Sequence, residues 1–325
     1  MTTDPSAKLG PPRRRLLVIA LAGAVLAAGA ASPWLLASSR GGTVKTPART
    51  QATTLARRSA TLATPAGSRP LESAAFRPGT ATLAVGMFNG DVDLWDTTTR
   101  NIIKILHHPG GRTAGVGLVA FGPGGTTLAV GDGGNVYLWN TAGQTAARTA
   151  TLPAPADVSG QSVTSVAFGP GTTLAVGYSG GGVYLWDIAT RHTTATLSAP
   201  ADSTGGTGVT SVAFGPGGTT MAVGYDNGDV YLWDIPSKQA MATVTPPADS
   251  QANAVVAFGP GGTTLAIGYD NGDVYLRDTV RKKTTDILHG RGDGNRGVSA
   301  MAFGPGGTLA VGAANGHVYL WHIKS

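Results

Sequence analysis

The sequence predicts an all-β chain of six stacked, four-stranded antiparallel units, and three observations lead there. A segment of about one blade's length recurs six times. Tryptophan marks one slot of it at 95, 139, 186, 233 and 321, at spacings of 44 or 47 residues, with Arg277 holding that slot in the fifth copy. Glycine- and proline-rich punctuation separates short runs of apolar and β-branched residues. A fixed period of about 40–45 residues is the signature of an architecture of stacked blades.

One copy justifies the elements in order. From Val209, VTSVAF alternates in side-chain direction and is a first strand. GPGG follows, with proline presetting φ and glycine supplying positive φ after it, so a tight turn is expected. TTMAVGY is a second strand. Asp226-Asn227-Gly228-Asp229 predicts a hairpin with a two-residue primed turn. VYLWDI is the third strand, Pro236-Ser237 turns the chain, and KQAMATV is a fourth, more polar strand. Close copies begin at Val163 and Val298, related ones near Val116 and Ala254, and a worn one near Leu71. No such unit can bury both faces alone, so the units must stack to make a core.

The third-strand ending Leu-Trp-Asp (94–96, 185–187, 232–234), the Asn-Gly or Gly-Gly turn before it and the period together resemble the WD-repeat (tryptophan–aspartate) β-propeller family. The resemblance covers residue 56 to the end and implies a six-bladed propeller, with protein or peptide recognition on one of its faces. It also implies how the ring closes. The last copy stops after its third strand at His322-Ile323, and Ala56–Leu62 resembles a fourth strand, so the N-terminal piece is expected to complete the last blade and remove open edges.

The departures from the family pattern are specific. The family carries Ser or Thr in the second strand, Asp in the second-to-third turn and a Gly-His pair before the first strand. Here the second-strand slot is Val85, Val130, Val176, Val223, Ile267 or Val311, the turn slot is mostly Asn or Gly, and only His289-Gly290 resembles the pair, reversed. The hydrogen-bond network those residues build around the tryptophan is expected to be absent, leaving each buried indole N–H in need of a partner.

Composition limits the function classes. There is no cysteine, which excludes disulfides and thiolate metal sites. The net charge of +6 is uneven: residues 1–70 hold ten Lys/Arg and Asp4 alone, while residues 71–325 hold fourteen against seventeen Asp/Glu. The repeats are therefore acidic overall, which argues against nucleic acid as a partner.

Residues 1–15 form a short basic tail containing Arg13-Arg14-Arg15. Residues 16–37 are an apolar run of 22 residues, long enough to span a bilayer, and the preceding positive charge puts the N-terminus in the cytoplasm and the propeller outside. Ala28-Gly29-Ala30 also fits signal cleavage, which would instead secrete the repeats. Residues 38–55 are small, polar and basic, a linker to the propeller at 56–325.

Four motifs suggest chemistry and are better explained as turns. Gly177-Tyr178-Ser179-Gly180-Gly181 matches G-x-S-x-G but fills the hairpin slot of its copy, whereas the hydrolase motif needs a strand-to-helix turn. Asp226–Asp229 and Asp270–Asp273 offer too few oxygens for calcium. The GPGG turns lack the lysine and helix of a phosphate loop. Arg291-Gly292-Asp293, an adhesion-type tripeptide, falls in a glycine-rich loop. No catalytic, cofactor or metal residue is assigned.

Recognition is expected on the loops from fourth strand to next first strand, since loops on a rigid scaffold carry binding. Three consecutive loops hold Pro-Ala-Asp, giving Asp157, Asp202 and Asp249; the loops of the other half carry His107, His108 and Arg112, then Arg291 and Arg296. One face split into acidic and basic halves is the candidate surface. The resulting expectation is a monomeric, non-catalytic, membrane-tethered extracytoplasmic scaffold of bacterial type for a protein or peptide partner. Its alternatives are a propeller hydrolase with a metal-assisted site and a structural cell-envelope protein.

Overall fold

The computed structural model describes Val18–Ile19 and residues 71–323, with breaks at 88–90, 97, 100, 108–115, 143–146, 200–207, 249, 251–252, 291–296, 304–306 and 314–317. The described residues are β-structure apart from turns and one short 3-10 helix, Ala156–Val158.

Five antiparallel units of four strands succeed one another in the order of the chain. Sheet 1 comprises Leu71–Phe76, Thr82–Met87, Val92–Asp96 and Asn101–Leu106; sheet 2 comprises Val116–Phe121, Thr127–Asp132, Asn135–Asn140 and Ala147–Leu152. Sheet 3 comprises Val163–Phe168, Thr173–Tyr178, Gly182–Asp187 and His192–Ser198; sheet 4 comprises Val209–Phe214, Thr220–Tyr225, Val230–Asp234 and Gln239–Val244. Sheet 5 comprises Val255–Phe258, Thr264–Gly268, Val274–Asp278 and Lys283–Leu288. Sheet 6 has three described strands, Val298–Phe303, Thr308–Ala313 and Val318–His322. The expected closing strand, residues 56–62, lies outside the described residues. Within the predicted apolar run 16–37, the two described residues, Val18–Ile19, are a strand and not a helix; they pair in parallel with the first strand of sheet 1, Val18 opposite Ser73. No helix among the described residues is long and apolar enough to cross a membrane.

Each first strand packs on the first strand of the next sheet, from sheet 1 through sheet 6. Second strands, with the near-continuous apolar sequence T-L-A-V-G, are buried almost end to end; fourth strands, rich in Thr, are mostly exposed. That gradient makes the first strands innermost and the fourth strands the outer rim. The core consists of interfaces between sheets: Leu118, Val136 and Leu152 of sheet 2 meet Leu174, Val176 and Trp186 of sheet 3, and the next interface repeats the pattern.

The polar joints between sheets are built from residues whose purpose the sequence does not announce. On the inner strands, Val119 N–H donates to Ser73 Oγ at 3.1 Å, Val212 N–H to Ser165 Oγ at 3.0 Å and Val256 N–H to Ser211 Oγ at 3.2 Å, each bond crossing to the following sheet. The Ser slot is Leu118, Val255 and Ala300 in the other copies, so the bond belongs to three junctions. Tyrosine hydroxyls bridge backward: Tyr178 to Gly134 C=O and Tyr225 to Gly181 C=O, both at 3.2 Å. On the outer strands, Arg191 donates to Thr149 C=O at 3.3 Å and Lys238 to Thr194 C=O at 3.2 Å.

Two turns differ in an instructive way. The GPGG turn of sheet 4 follows expectation, with Gly217 at φ +81° and Gly218 at φ +70°. Gly218 also meets a steric need, because a Cβ there would lie 2.2 Å from Pro170 of the preceding sheet. The second-to-third hairpin is not the expected two-residue primed turn. Gly228 alone takes positive φ (+89°), its N–H donates to Tyr225 C=O at 3.0 Å, and Tyr225 N–H donates to Asp229 C=O at 2.9 Å. Asn227 works through its side chain instead, accepting Asp229 N–H at 3.0 Å. A three-residue loop whose last residue is a left-handed glycine is the standard longer hairpin, and it spares asparagine the positive φ.

Candidate functional site

Antiparallel strands place loops at two ends. The first-to-second and third-to-fourth turns form one end, called here the turn end. The second-to-third hairpins and the loops into the next sheet form the other, the hairpin end.

The hairpin end is acidic. Asp91, Asp93, Asp132, Asp157, Asp226, Asp229, Asp270 and Asp273 lie in its loops or within two residues of them, and no described Lys or Arg does. Two histidines stand beside these carboxylates in equivalent places: His107 Nδ1 is 3.4 Å from Asp91 and His289 Nδ1 is 3.3 Å from Asp273, each just after a fourth strand and facing the hairpin of its own sheet. In sheet 1 the third-strand tyrosine slot is Asp93, which is buried; burial, then the nearby Asp91, raise its carboxyl, and His107 opposes them.

Of the eight loop residues expected to form a binding surface, Asp157 and His107 are described, and both do sit at the hairpin end. Asp202, Asp249, His108, Arg112, Arg291 and Arg296 lie outside the described residues. Asp157 is an exposed residue of the short 3-10 helix, but its carboxylate accepts the hydroxyl of Tyr184 in the following sheet. Burial and then this bond push the Tyr184 hydroxyl up to about 12. Asp157 therefore acts first as a joint between sheets 2 and 3.

The turn end is organised by the aspartate of Leu-Trp-Asp. Asp187 Oδ1 accepts Ala189 N–H at 2.8 Å and Thr190 N–H at 3.1 Å; Asp96 and Asp278 cap their turns in the same way, and Asp234 accepts both Ser237 groups. Hydrogen bonds to the charged form hold all four carboxyls below the usual range. The next slot but three is basic and left-handed: Arg191 at φ +62°, Lys238 at +58° and Lys282 at +55°. With Arg77, Arg148, Arg281 and Lys283, the cations at this end outnumber its four capped aspartates.

The tryptophans themselves are structural and incompletely satisfied. The indole N–H groups of Trp95, Trp186 and Trp233 are buried and have no hydrogen-bond partner. The second-strand residues Val85, Val176 and Val223 carry no acceptor for them. Arg277 takes the slot in sheet 5, opposite Leu265, half-buried. Its charge acts on buried Tyr269, whose hydroxyl is raised by burial first, then by Tyr275 and Asp229. Ser179 of the hydrolase-like motif ends in a hairpin, where its Oγ accepts Ser162 N–H at 3.1 Å. Among the described residues no group of three or more His, Asp or Glu is placed to hold a metal ion.

Two families match the chain. Residues 154–254, from the loop before sheet 3 to the start of sheet 5, match the Nucleolar protein 10-like, N-terminal domain, a β-propeller family. Residues 283–322, from the last strand of sheet 5 through sheet 6, match the WD domain, G-beta repeat. No curated protein matches the chain. Together the matches support a WD-repeat β-propeller, a class that serves as a protein–protein interaction scaffold and is typically non-enzymatic.

Proposed function

We propose that the chain is a non-catalytic interaction scaffold: a six-bladed propeller closed by residues 56–62, tethered by residues 16–37 and displayed outside a bacterial membrane. The observation that carries the scaffold reading is the use of the polar residues. Tyr178, Tyr225, Ser165, Ser211, Asp157 and the four turn aspartates are all spent on holding sheets and turns together, which makes a rigid body for presenting loops. The tether rests on the apolar length and the preceding arginines of the sequence, and it requires Val18–Ile19 to give up their pairing with the first strand of sheet 1.

Crosslinking the full chain in its native membrane, followed by affinity isolation, tests the scaffold: a stoichiometric protein partner is expected, and turnover of ester substrates by the purified chain without one would overturn it. Mass spectrometry of the mature N-terminus tests the tether, which requires residues 16–37 to be retained.

A further inference from the structure

Sheet 6 and sheet 1 flank the same short strand, but they do not meet as consecutive sheets do. From sheets 1 and 2 through sheets 5 and 6, each core between neighbours draws residues from both. A further core, Val85, Met87 and Trp95 with Ala74, Leu83 and Ile102, belongs to sheet 1 alone, and no described residue of sheet 6 joins it. The first strands of sheets 6 and 1 also lack the packing that joins the first strands of every consecutive pair. Val18–Ile19 stands there instead. It pairs in parallel with the first strand of sheet 1, Val18 opposite Ser73 and Ile19 opposite Ala74, and it packs on the first strand of sheet 6. Among the described residues no other sheet has a strand added to its inner edge. Burial agrees, independently of that pairing: the first strand of sheet 6 is buried from Val298 to Ala302, whereas those of sheets 3 and 4 are mostly half-buried.

We infer that the inner edge of sheet 1 is an acceptor site for an extended, uncharged strand, and that the chain's own segment at Val18–Ile19 occupies it whenever that segment is outside a membrane. An edge strand presents a row of unpaired N–H and C=O groups, and an added strand satisfies them with main-chain bonds. The surroundings select an uncharged occupant. Val298, Ala300, Met301 and Ala302 of sheet 6 are apolar and buried, so a charged side chain would lose its water there without gaining a partner. Val18 and Ile19 are β-branched, the type that strands favour, and the sequence carries no charge from Leu16 to Ala37. Attachment to the same chain also raises the local concentration of this segment above that of a partner in trans. One segment cannot lie beside sheet 1 and cross a bilayer at once, so membrane insertion empties the edge. The occupied state is seen in the structure; the emptied state rests on the tether proposed above.

The chain has no cysteine, so an engineered pair reports on this contact alone. Neighbouring strands lie about 4.8 Å apart, within the span of a disulfide. The full chain carrying Ile19→Cys and Ala74→Cys is made by cell-free synthesis, with and without phosphatidylglycerol vesicles, and mildly oxidised. Mass spectrometry reads the disulfide, and flotation separates chain held by the vesicles. The control pairs Ile19→Cys with Val212→Cys, the slot of Ala74 in sheet 4. Without vesicles, the disulfide between positions 19 and 74 is expected to exceed the control by about tenfold, and in chain that floats it should fall to the control's level. Should Ala74→Cys prevent folding, seen by circular dichroism, the other register pair, Val18→Cys with Ser73→Cys, decides the result. No excess over the control without vesicles would overturn the occupied site. An undiminished disulfide in chain that floats would overturn its exclusion by the membrane. Chain that keeps the disulfide and does not float would refute the tether while supporting the strand site.

Discussion

Gly224→Ala should destabilise the protein although its backbone conformation suits alanine. Gly224 lies in the second strand of sheet 4, opposite Ser211 and Val230, and is not among the glycines of positive φ. On propensity alone, alanine in a strand would stabilise by about 0.5–1 kcal/mol. The space is the obstacle: a Cβ would lie 2.2 Å from Ala254 O, 3.0 Å from its carbonyl carbon and 3.1 Å from its Cβ. That carbonyl is backbone and is already fixed, accepting Thr210 Oγ1 at 2.7 Å, while Ala254 N–H donates to Tyr225 C=O at 3.1 Å. Relief requires sheet 5 to move away by about 1 Å and weakens both bonds. Overpacking costs roughly 1–3 kcal/mol and each weakened bond about 1 kcal/mol, so a net loss of about 2–4 kcal/mol is expected. For a body of this size the melting temperature should fall by roughly 5–12 °C, measured by calorimetry. Gly160→Ala is the comparison, with φ +81° and nothing within 4 Å, so it tests backbone strain without collision; its cost should be about 1 kcal/mol. Gly177→Ala should fall between them, since its nearest obstacle, 2.5 Å away, is the Val209 side chain, which can rotate. A Gly224→Ala protein as stable as the parent, or one no worse than Gly160→Ala, would refute the claim that close approach of sheets dictates this glycine.

Three further outcomes are expected. Ser211→Ala should cost about 1–2 kcal/mol in urea denaturation, because it strips Val256 N–H of its partner at a part-buried joint, whereas Ala300→Ser should not cost as much. Tyr178, Tyr225 and Tyr269 are held neutral by burial, so their folded pKa values lie above the ordinary 10.0. Their contribution is complete below pH 10, where folded and unfolded chains are both protonated, and is lost as pH rises through the folded values. Stability should therefore fall above pH 10, with these tyrosinates emerging only on unfolding; their ordinary titration in the folded protein would contradict it. Asp157→Asn should bring the Tyr184 hydroxyl down from about 12, read by ultraviolet titration, and no change would mean that burial alone sets it.

The strands were legible because their alternation and their turn residues obey local rules, which hold whatever the neighbours do. The joints were not, because they are formed by residues in different copies. Ser211 reads as an ordinary strand residue until Val256 of the next sheet is placed beside it. The hairpin at Asn227 was misjudged in kind, as asparagine can serve either by positive φ or by its side chain, and sequence does not separate the two. Asp157 stands out in the sequence as one of three recurrent Pro-Ala-Asp loops, but its partner, Tyr184, is 27 positions away and gives no signal of pairing. The six copies of Ala-Phe before a glycine or arginine are visible, yet which ring is buried, as Phe121 is, and which is exposed, as Phe76 is, depends on how the sheets meet.

The overlap of turns has a consequence for how such a chain changes length. Pro170 needs a glycine at 218 to lie against, and Pro216 needs one at 262. Sheet 4 thus offers a proline forward and a glycine backward, and a tandem duplication of that copy carries both halves of its own coupling. Genetic expansion by that copy requires no compensating substitution at this contact. That freedom stops at the worn first copy, where the Arg77 side chain and the Pro78 carbonyl, not the proline ring, lie against Gly125, and at sheet 3, where Gly171 has nothing within 4 Å. Copy number is the variable such a sequence can alter most cheaply, while alteration of one coupling residue has to be matched in its neighbour.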